Sequence, residues 1–225
     1  MYEWNFAPVF ASADLLAEGL LNTLQVTAIA LVLGLAIGLA LALLRLSPRR
    51  FLSWPAGLVI EVFRTTPPLV QLFWFFFALP LIAGIEMTPF AAAVVTFSIQ
   101  SSAFFAEVFR AGIQSIERGQ WEGALAIGMM RAQVLRRIVL PQAITRMIPA
   151  FLERSIELMK TTTLVATIAY ADLLYQANAI AQRTYRPLET FSVAALIYFV
   201  VIFAFSLLAR HVERRLAVGG DSTVH

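Results

Sequence analysis

Charged and strongly hydrogen-bonding residues stand inside stretches that are otherwise apolar: Glu61, Arg64, Gln100, Ser101, Glu153, Glu157 and Lys160. An ionised group at the centre of a bilayer costs about 2.5–3.5 kcal/mol on insertion scales, so such residues face protein or water. Glu61 and Arg64 are one helical turn apart and able to neutralise each other. Glu153, Glu157 and Lys160 follow spacings of four and three, which places them on one stripe of a helix. Gln100, Ser101, Glu153, Glu157 and Lys160 could line a water-filled path and meet the ammonium and carboxylate of a zwitterion. The competing reading is structural: interhelical ion pairs, contacts between subunits, or helix-end residues that reach the headgroups. The pattern accommodates both.

Covalent chemistry finds no support in the same chain. Cysteine is absent, and the two histidines, His211 and His225, stand alone near the C-terminus. No Gly-x4-Gly-Lys-Ser/Thr phosphate loop occurs, so no nucleotide hydrolysis is expected, and no catalytic residue, bound cofactor or metal site. Of the 225 residues, 60% are hydrophobic and 14% charged, with mean hydropathy +0.77. A soluble domain carries roughly 25% charge, so the solvent here is the bilayer. The net charge of +3 fits basic loops beside anionic lipid better than nucleic acid.

These residues require helices to carry them. The composition predicts an all-α, polytopic bundle with five spans, at about 20–44, 55–83, 90–111, 146–169 and 190–209. They are preceded by an external segment, 1–18, and followed by a cytoplasmic tail, 210–225. Gly34 and Gly38 give the first span a small face for close helix approach. Pro67-Pro68 is expected to kink or break the second. Residues 112–145 are too charged to span and read as one large loop, and 171–189 as a second, polar one. The first loop, the 112–145 loop and the tail are rich in arginine, whereas residues 1–19 contain no lysine or arginine. The excess of positive charge in these segments puts the C-terminus in the cytoplasm and the N-terminus outside.

The large loop holds the most specific pattern: Gln120-Trp121-Glu122-Gly123-Ala124-Leu125-Ala126-Ile127-Gly128, nine residues, then Ile138-Val139-Leu140-Pro141. It reads as a short helix, a glycine, a basic stretch, and a proline that starts the next helix. Ala124, Leu125 and Gly128 fall at helical spacing and give a slim face on which a partner could close. This segment resembles the EAA motif of the permease subunits of ABC importers. Glu122, Ala124, Gly128, Ile138, Leu140 and Pro141 match, and Gly123 stands where the motif has its first alanine.

The resemblance runs through about residues 19–209. Glu61-Val-Phe-Arg64-Thr-Thr-Pro67-Pro-Leu-Val-Gln71 resembles a signature of polar amino acid permeases, there read as structural or gating. Lys160-Thr-Thr-Thr-Leu164 resembles another. The opening Met-Tyr-Glu-Trp and Ala171-Asp-Leu-Leu look most like glutamate/aspartate permeases. The resemblance implies a type I importer permease in the bacterial inner membrane, non-catalytic, working beside a second permease subunit, identical or homologous. It also implies a pair of ATPase subunits, which bind the ATP and magnesium, and an extracytoplasmic amino-acid-binding protein. Trp121 to Gly128, with Ile138, Leu140 and Pro141, would then couple the bundle to the ATPase. A secondary carrier or channel without an ATPase would leave 118–141 without a purpose.

Overall fold

In a bilayer every backbone N–H and C=O must find its partner within the protein, and helices meet that demand locally. The structure, a computed structural model that describes residues 2–217 and side chains to His211, is helical, with no strand among the described residues. A single turn, Ala7–Phe10, precedes α1 (Ala13–Arg45), α2 (Arg50–Thr65), α3 (Pro68–Ala83) and α4 (Pro89–Gln114). There follow α5 (Arg118–Ala126), α6 (Arg131–Ile168), α7 (Leu173–Thr184) and α8 (Pro187–Ala217). Helices α1, α4 and α8 are each long and apolar enough to span alone. The pairs α2–α3 and α6–α7 bend by 106° and 48° at short breaks, and five spans result if each pair counts as one.

The centre of the bundle is α1 against α4. The glycine face of α1 meets α4, as its spacing predicts: a Cβ on Gly38 would stand 2.8 Å from Phe105 Cβ and from the Ser102 carbonyl. The close approach brings Ser101 Oγ to 3.2 Å from the Ala30 carbonyl, while Phe97 and Phe105 fill the core. Near its start α1 holds the second break. Gly19 lies against the Asp172 backbone, Asn22 Nδ2 donates to the Ala171 carbonyl at 2.9 Å, and Leu173 N–H donates to Thr23 Oγ1 at 3.2 Å.

The first break is where the sequence placed it. Pro67 and Pro68 have no N–H, so the carbonyls four residues earlier, on Phe63 and Arg64, lose their helical partners. Gln71 replaces one: its Nε2 donates to Phe63 O at 3.0 Å and to Thr66 O at 2.8 Å. Two other prolines are absorbed differently. Just before Pro80 and Pro141 the ladder widens to a π-type turn, Trp74–Ala78 and Leu135–Val139. There Leu79 N–H bonds Trp74 O and Leu140 N–H bonds Leu135 O, five residues back.

Several expected boundaries change. The fourth helix begins at Arg131 rather than near 146, so Pro141 lies inside it, tolerated by the wide turn, and does not start it. Residues 171–189 are not a loop: Asp172 caps α7 by accepting from Tyr175 N–H at 2.8 Å, and Leu173, Gln176, Ala177, Ile180 and Ala181 give it a buried face. The first residues are tied to the bundle. Glu189, fully buried at the start of α8, accepts from Tyr2 Oη at 2.5 Å and Asn5 N–H at 3.0 Å, and Arg186 donates to the Glu3 carbonyl. Helix α8 runs into the expected tail as far as Ala217, and the remaining tail lies outside the described residues.

Helix α5 ends in a Schellman arrangement. Gly128, at φ +87°, donates its N–H to Leu125 O at 3.0 Å, and Met129 N–H reaches Ala124 O at 3.2 Å. Nothing crowds Gly128 or Gly123. Replacing Gly128 by alanine is therefore expected to cost about 1–2 kcal/mol through the left-handed backbone alone. Gly123→Ala should instead stabilise by about 0.5–1 kcal/mol. Equal shifts of the thermal midpoint in detergent would contradict the cap. Gln71→Leu leaves two carbonyls without their donor and is expected to lose about 1–3 kcal/mol in the same measurement. An unchanged midpoint would remove Gln71 from the break.

Candidate functional site: a cationic cleft and a coupling segment

The break at Thr66-Pro67 turns α3 away and leaves the end of α2 facing α4 and α6. Between them lies a cleft of about 300 Å³. From α2 and the break come Arg64, Thr65, Thr66 and Pro67; from α4, Gln100, Ser101 and Phe104; from α6, Arg154, Glu157 and Thr161. Of the sequence candidates, Arg64, Pro67, Gln100, Ser101 and Glu157 thus come together.

Two guanidinium groups share one ring. Arg154 Cζ stands 4.6 Å and Arg64 Cζ 5.9 Å from the Phe104 centroid, in reach of the face of the π system. Their pairing differs. Arg154 is bonded directly to Glu157. Arg64 has only two acids at 3.9 Å, Glu61 and Glu107, and Glu107 is already held by Arg110 through two bonds. Arg64 Nε is buried with no hydrogen-bond partner, so this side chain keeps unused donor capacity beside the cleft.

The hydroxyl groups have a fixed sense. Thr65 donates to Glu61 O at 2.8 Å, Thr66 to Val62 O at 2.7 Å, Thr161 to Glu157 O at 2.9 Å, and Ser101 to Phe97 O at 2.5 Å. With their protons committed to helix carbonyls, the oxygens have only lone pairs left to offer. The cleft therefore combines donor-rich guanidinium groups with a ring of acceptors.

Glu153 and Lys160 do not line this cleft. Both are exposed on α6, and among the described residues neither has an ionic partner within 4.0 Å. Glu61 flanks the cleft, exposed, and Gln71 serves the break. Arg154, Phe104 and Thr161 escaped the sequence reading of the path. Arg154 was detectable as the i,i+3 partner of Glu157, whereas Phe104 looks like any other apolar residue of α4.

The segment 118–141 is folded against its own chain. Trp121 and Ala124 pack inward with Ile116, Val134, Val139, Ala143 and Met147, and Ile138 joins them. Ala124, Leu125 and Gly128 therefore do not form one outward face as their spacing predicts: Ala124 is 5% exposed, because the helix spends its small residue on packing against α6. Leu125 and Gly128 remain outward, in a surface with Glu122, Gly123, Ile127 (79% exposed) and Met130 (66%), with Arg118, Arg131, Arg136 and Arg137 around it. Leu140 is half-buried, Pro141 is exposed, and Arg146 ties α6 to the end of α4 through the Ser115 carbonyl at 2.5 Å.

Residues 31–218 match the family described as the binding-protein-dependent transport system inner membrane component. The glutamate/aspartate import permease protein GltK of Escherichia coli is 37% identical over 224 residues, covering 96% of this chain and all of that one. The arginine transport system permease protein ArtQ of Bacillus subtilis is 34% identical, covering 94% and 97%. A crystal structure of an amino acid ABC transporter with histidines superposes with a TM-score of 0.90 at 37% identity, covering 95% of this chain and all of that chain. The methionine transporter MetNI, at 20% identity and TM-score 0.76, shares the fold. The chain belongs to the family of binding-protein-dependent transport system inner membrane components: it is a multi-pass, type I ABC importer permease subunit of the inner membrane, itself non-catalytic.

Proposed function

We propose that this chain forms the translocation path for a polar amino acid, glutamate or aspartate in preference to others, and couples that path to an ATPase pair through residues 118–141. The observation that carries the substrate reading is the cleft. Its lining carries two guanidinium groups and one carboxylate, Glu157, while Glu61 and Glu107 stand 3.9 Å from Arg64 outside the lining, so the lining itself favours a ligand of net charge −1. An acidic amino acid has that charge: one carboxylate for the unused donors of Arg64, a second in reach of Arg154, and an ammonium for the hydroxyl oxygens and Glu157. The similarity to a glutamate/aspartate permease supports the same choice.

Coupling follows from the exposed end of the bundle. The rigid packing of Trp121 and Ala124 lets a push on Ile127, Met130 or Glu122 move α6, which lines the cleft. ATP and magnesium belong to the partner ATPase in this reading, and this chain binds neither. Closure of that pair would bias the bundle between two packings, a differential contact acting on a bistable element. The basic first loop and coupling segment lie on the cytoplasmic side and the N-terminus outside, by the distribution of arginine.

Arg64→Gln is expected to weaken transport by about 2–3 kcal/mol, on the order of a hundredfold in uptake of labelled glutamate at low concentration. Uptake within twofold of the parent would reject the cleft as the path. Glu122→Lys and Gly128→Trp should insert normally yet abolish uptake by uncoupling the ATPase. Full uptake by both, in cells carrying the whole transporter, would overturn the docking role.

A further inference from the structure

Between the cleft and the end of α4 that leads to α5 stands a second charged group, which a ligand in the cleft does not need for its own binding. Gln100, Ser101 and Phe104 of α4 line the cleft. Glu107 follows Phe104 by one turn, about 4.5 Å along the helix axis, and Arg110 and Gln114 continue toward the helix end. Arg110 holds Glu107 through two bonds, from Nε at 2.9 Å and from Nη2, and its Nη1 donates to Gln114. The same end of α4 is fastened to α6: a Cβ on Gly112 would overlap the Met147 side chain, and Arg146 donates to the Ser115 carbonyl. A movement of α6 therefore reaches Glu107.

Arg64 comes to this acid from α2. Its Nη1 lies 3.9 Å from Glu107 Oε2 and 3.9 Å from Glu61 Oε2, close enough for attraction and beyond hydrogen-bond length of either. A guanidinium gains most when two of its donors meet one carboxylate. Arg110 has that pairing with Glu107 and Arg64 does not. The acid able to take Arg64 away from a ligand is thus kept occupied by a second arginine. The side chains of Arg64, Glu107 and Arg110 are 33%, 29% and 30% exposed, so water reaches all three. Partners can then be exchanged without leaving an uncompensated buried charge on the way.

The geometry points to Glu107 as the release residue of the cleft, a carboxylate of the chain that competes with the ligand's carboxylate for Arg64. While Arg110 holds Glu107, the donors of Arg64 are open to a ligand. When α6 draws the end of α4 along α2, Glu107 trades Arg110 for Arg64, and the ligand loses its strongest partner. This rests on the reading of the cleft as the path of an acidic amino acid. Glu107 acts through Arg64 as a positioning residue and does not itself bind the ligand, whose carboxylates it repels. No charge is stranded in either arrangement, since Arg110 keeps Gln114 and water when Glu107 leaves it.

Binding of labelled glutamate to the complete permease–ATPase complex in nanodiscs, without the extracytoplasmic binding protein, reads the exchange directly. Glu107→Gln removes the competitor, so the dissociation constant should fall about fivefold. Uptake at saturating glutamate, assayed with the binding protein present, should drop in the same variant because release slows. Arg110→Gln frees Glu107 for Arg64 and should raise the dissociation constant about fivefold. Opposite shifts do not arise from misfolding, and shifts in the same direction would overturn the proposal. The double variant, Glu107→Gln with Arg110→Gln, separates an exchange from two charges acting independently on the ligand. Arg110 acts only through Glu107, so the double variant should bind as tightly as Glu107→Gln, and a return to the parent's constant would overturn the exchange. If Arg64→Gln loses binding while Glu107→Gln and Arg110→Gln leave the constant unmoved, the release role falls and the cleft stands. A parent complex that binds no glutamate would sink the cleft and the exchange together.

Discussion

A backbone carbonyl that loses its helical partner inside a bilayer has no water to turn to, and this constraint governs the architecture around the cleft. The Pro67-Pro68 pair breaks α2 from α3 by 106°, which opens the surface of α4 and α6 to a cleft. The break survives because Gln71 returns the hydrogen bond that Pro67 cannot supply. The same residues that make the break also furnish the cleft: Arg64 at the end of α2, and Thr65 and Thr66, whose hydroxyls are turned back onto the helix. Structural and functional readings of the signature therefore do not compete. Gln71 is structural, Arg64 faces the cleft, and each depends on the other.

Close packing fixes where the cleft lies. Small residues on α1 bring α4 near enough for Ser101 Oγ to stand 3.2 Å from the Ala30 carbonyl, and Ser101 is also a wall of the cleft. The second break is secured by α1 as well, through Gly19, Asn22 and Thr23. A single unbroken helix thus sets the relative positions of the two bent spans. A rigid frame with two bent spans against it is the arrangement that a mechanical input at one end needs.

In the proposed coupling that input arrives at α5, whose packing differs from what its pattern implied. The alanine on which a partner was expected to close is instead used to seat the helix on α6. The glycine that follows ends the helix in a left-handed turn, and this turn throws Ile127 and Met130 outward. The short helix is therefore fastened on one side and open on the other, so that force applied to its tip passes into α6 and from there to Arg154 and Glu157.

Much of this was legible in the residues themselves. Bilayer residence follows from hydropathy, since 25 uncharged residues at 20–44 have no alternative solvent, and the close face at Gly34 and Gly38 follows from spacing. The break at Pro67-Pro68 follows from a missing N–H, a property of the residue wherever it stands. What sequence could not decide was direction. Glu153, Glu157 and Lys160 share a stripe by periodicity, yet only the rotation of α6 against α4 turns Glu157 into the cleft and leaves the other two outside. Likewise Ala124 was small by sequence and inward only by packing, and the polar 171–189 segment became a helix because Asp172 caps it and α1 and α8 bury one face. Periodicity states which residues lie together on a helix; which way that face points is set by neighbours distant in the chain, and it is the tertiary contacts that choose.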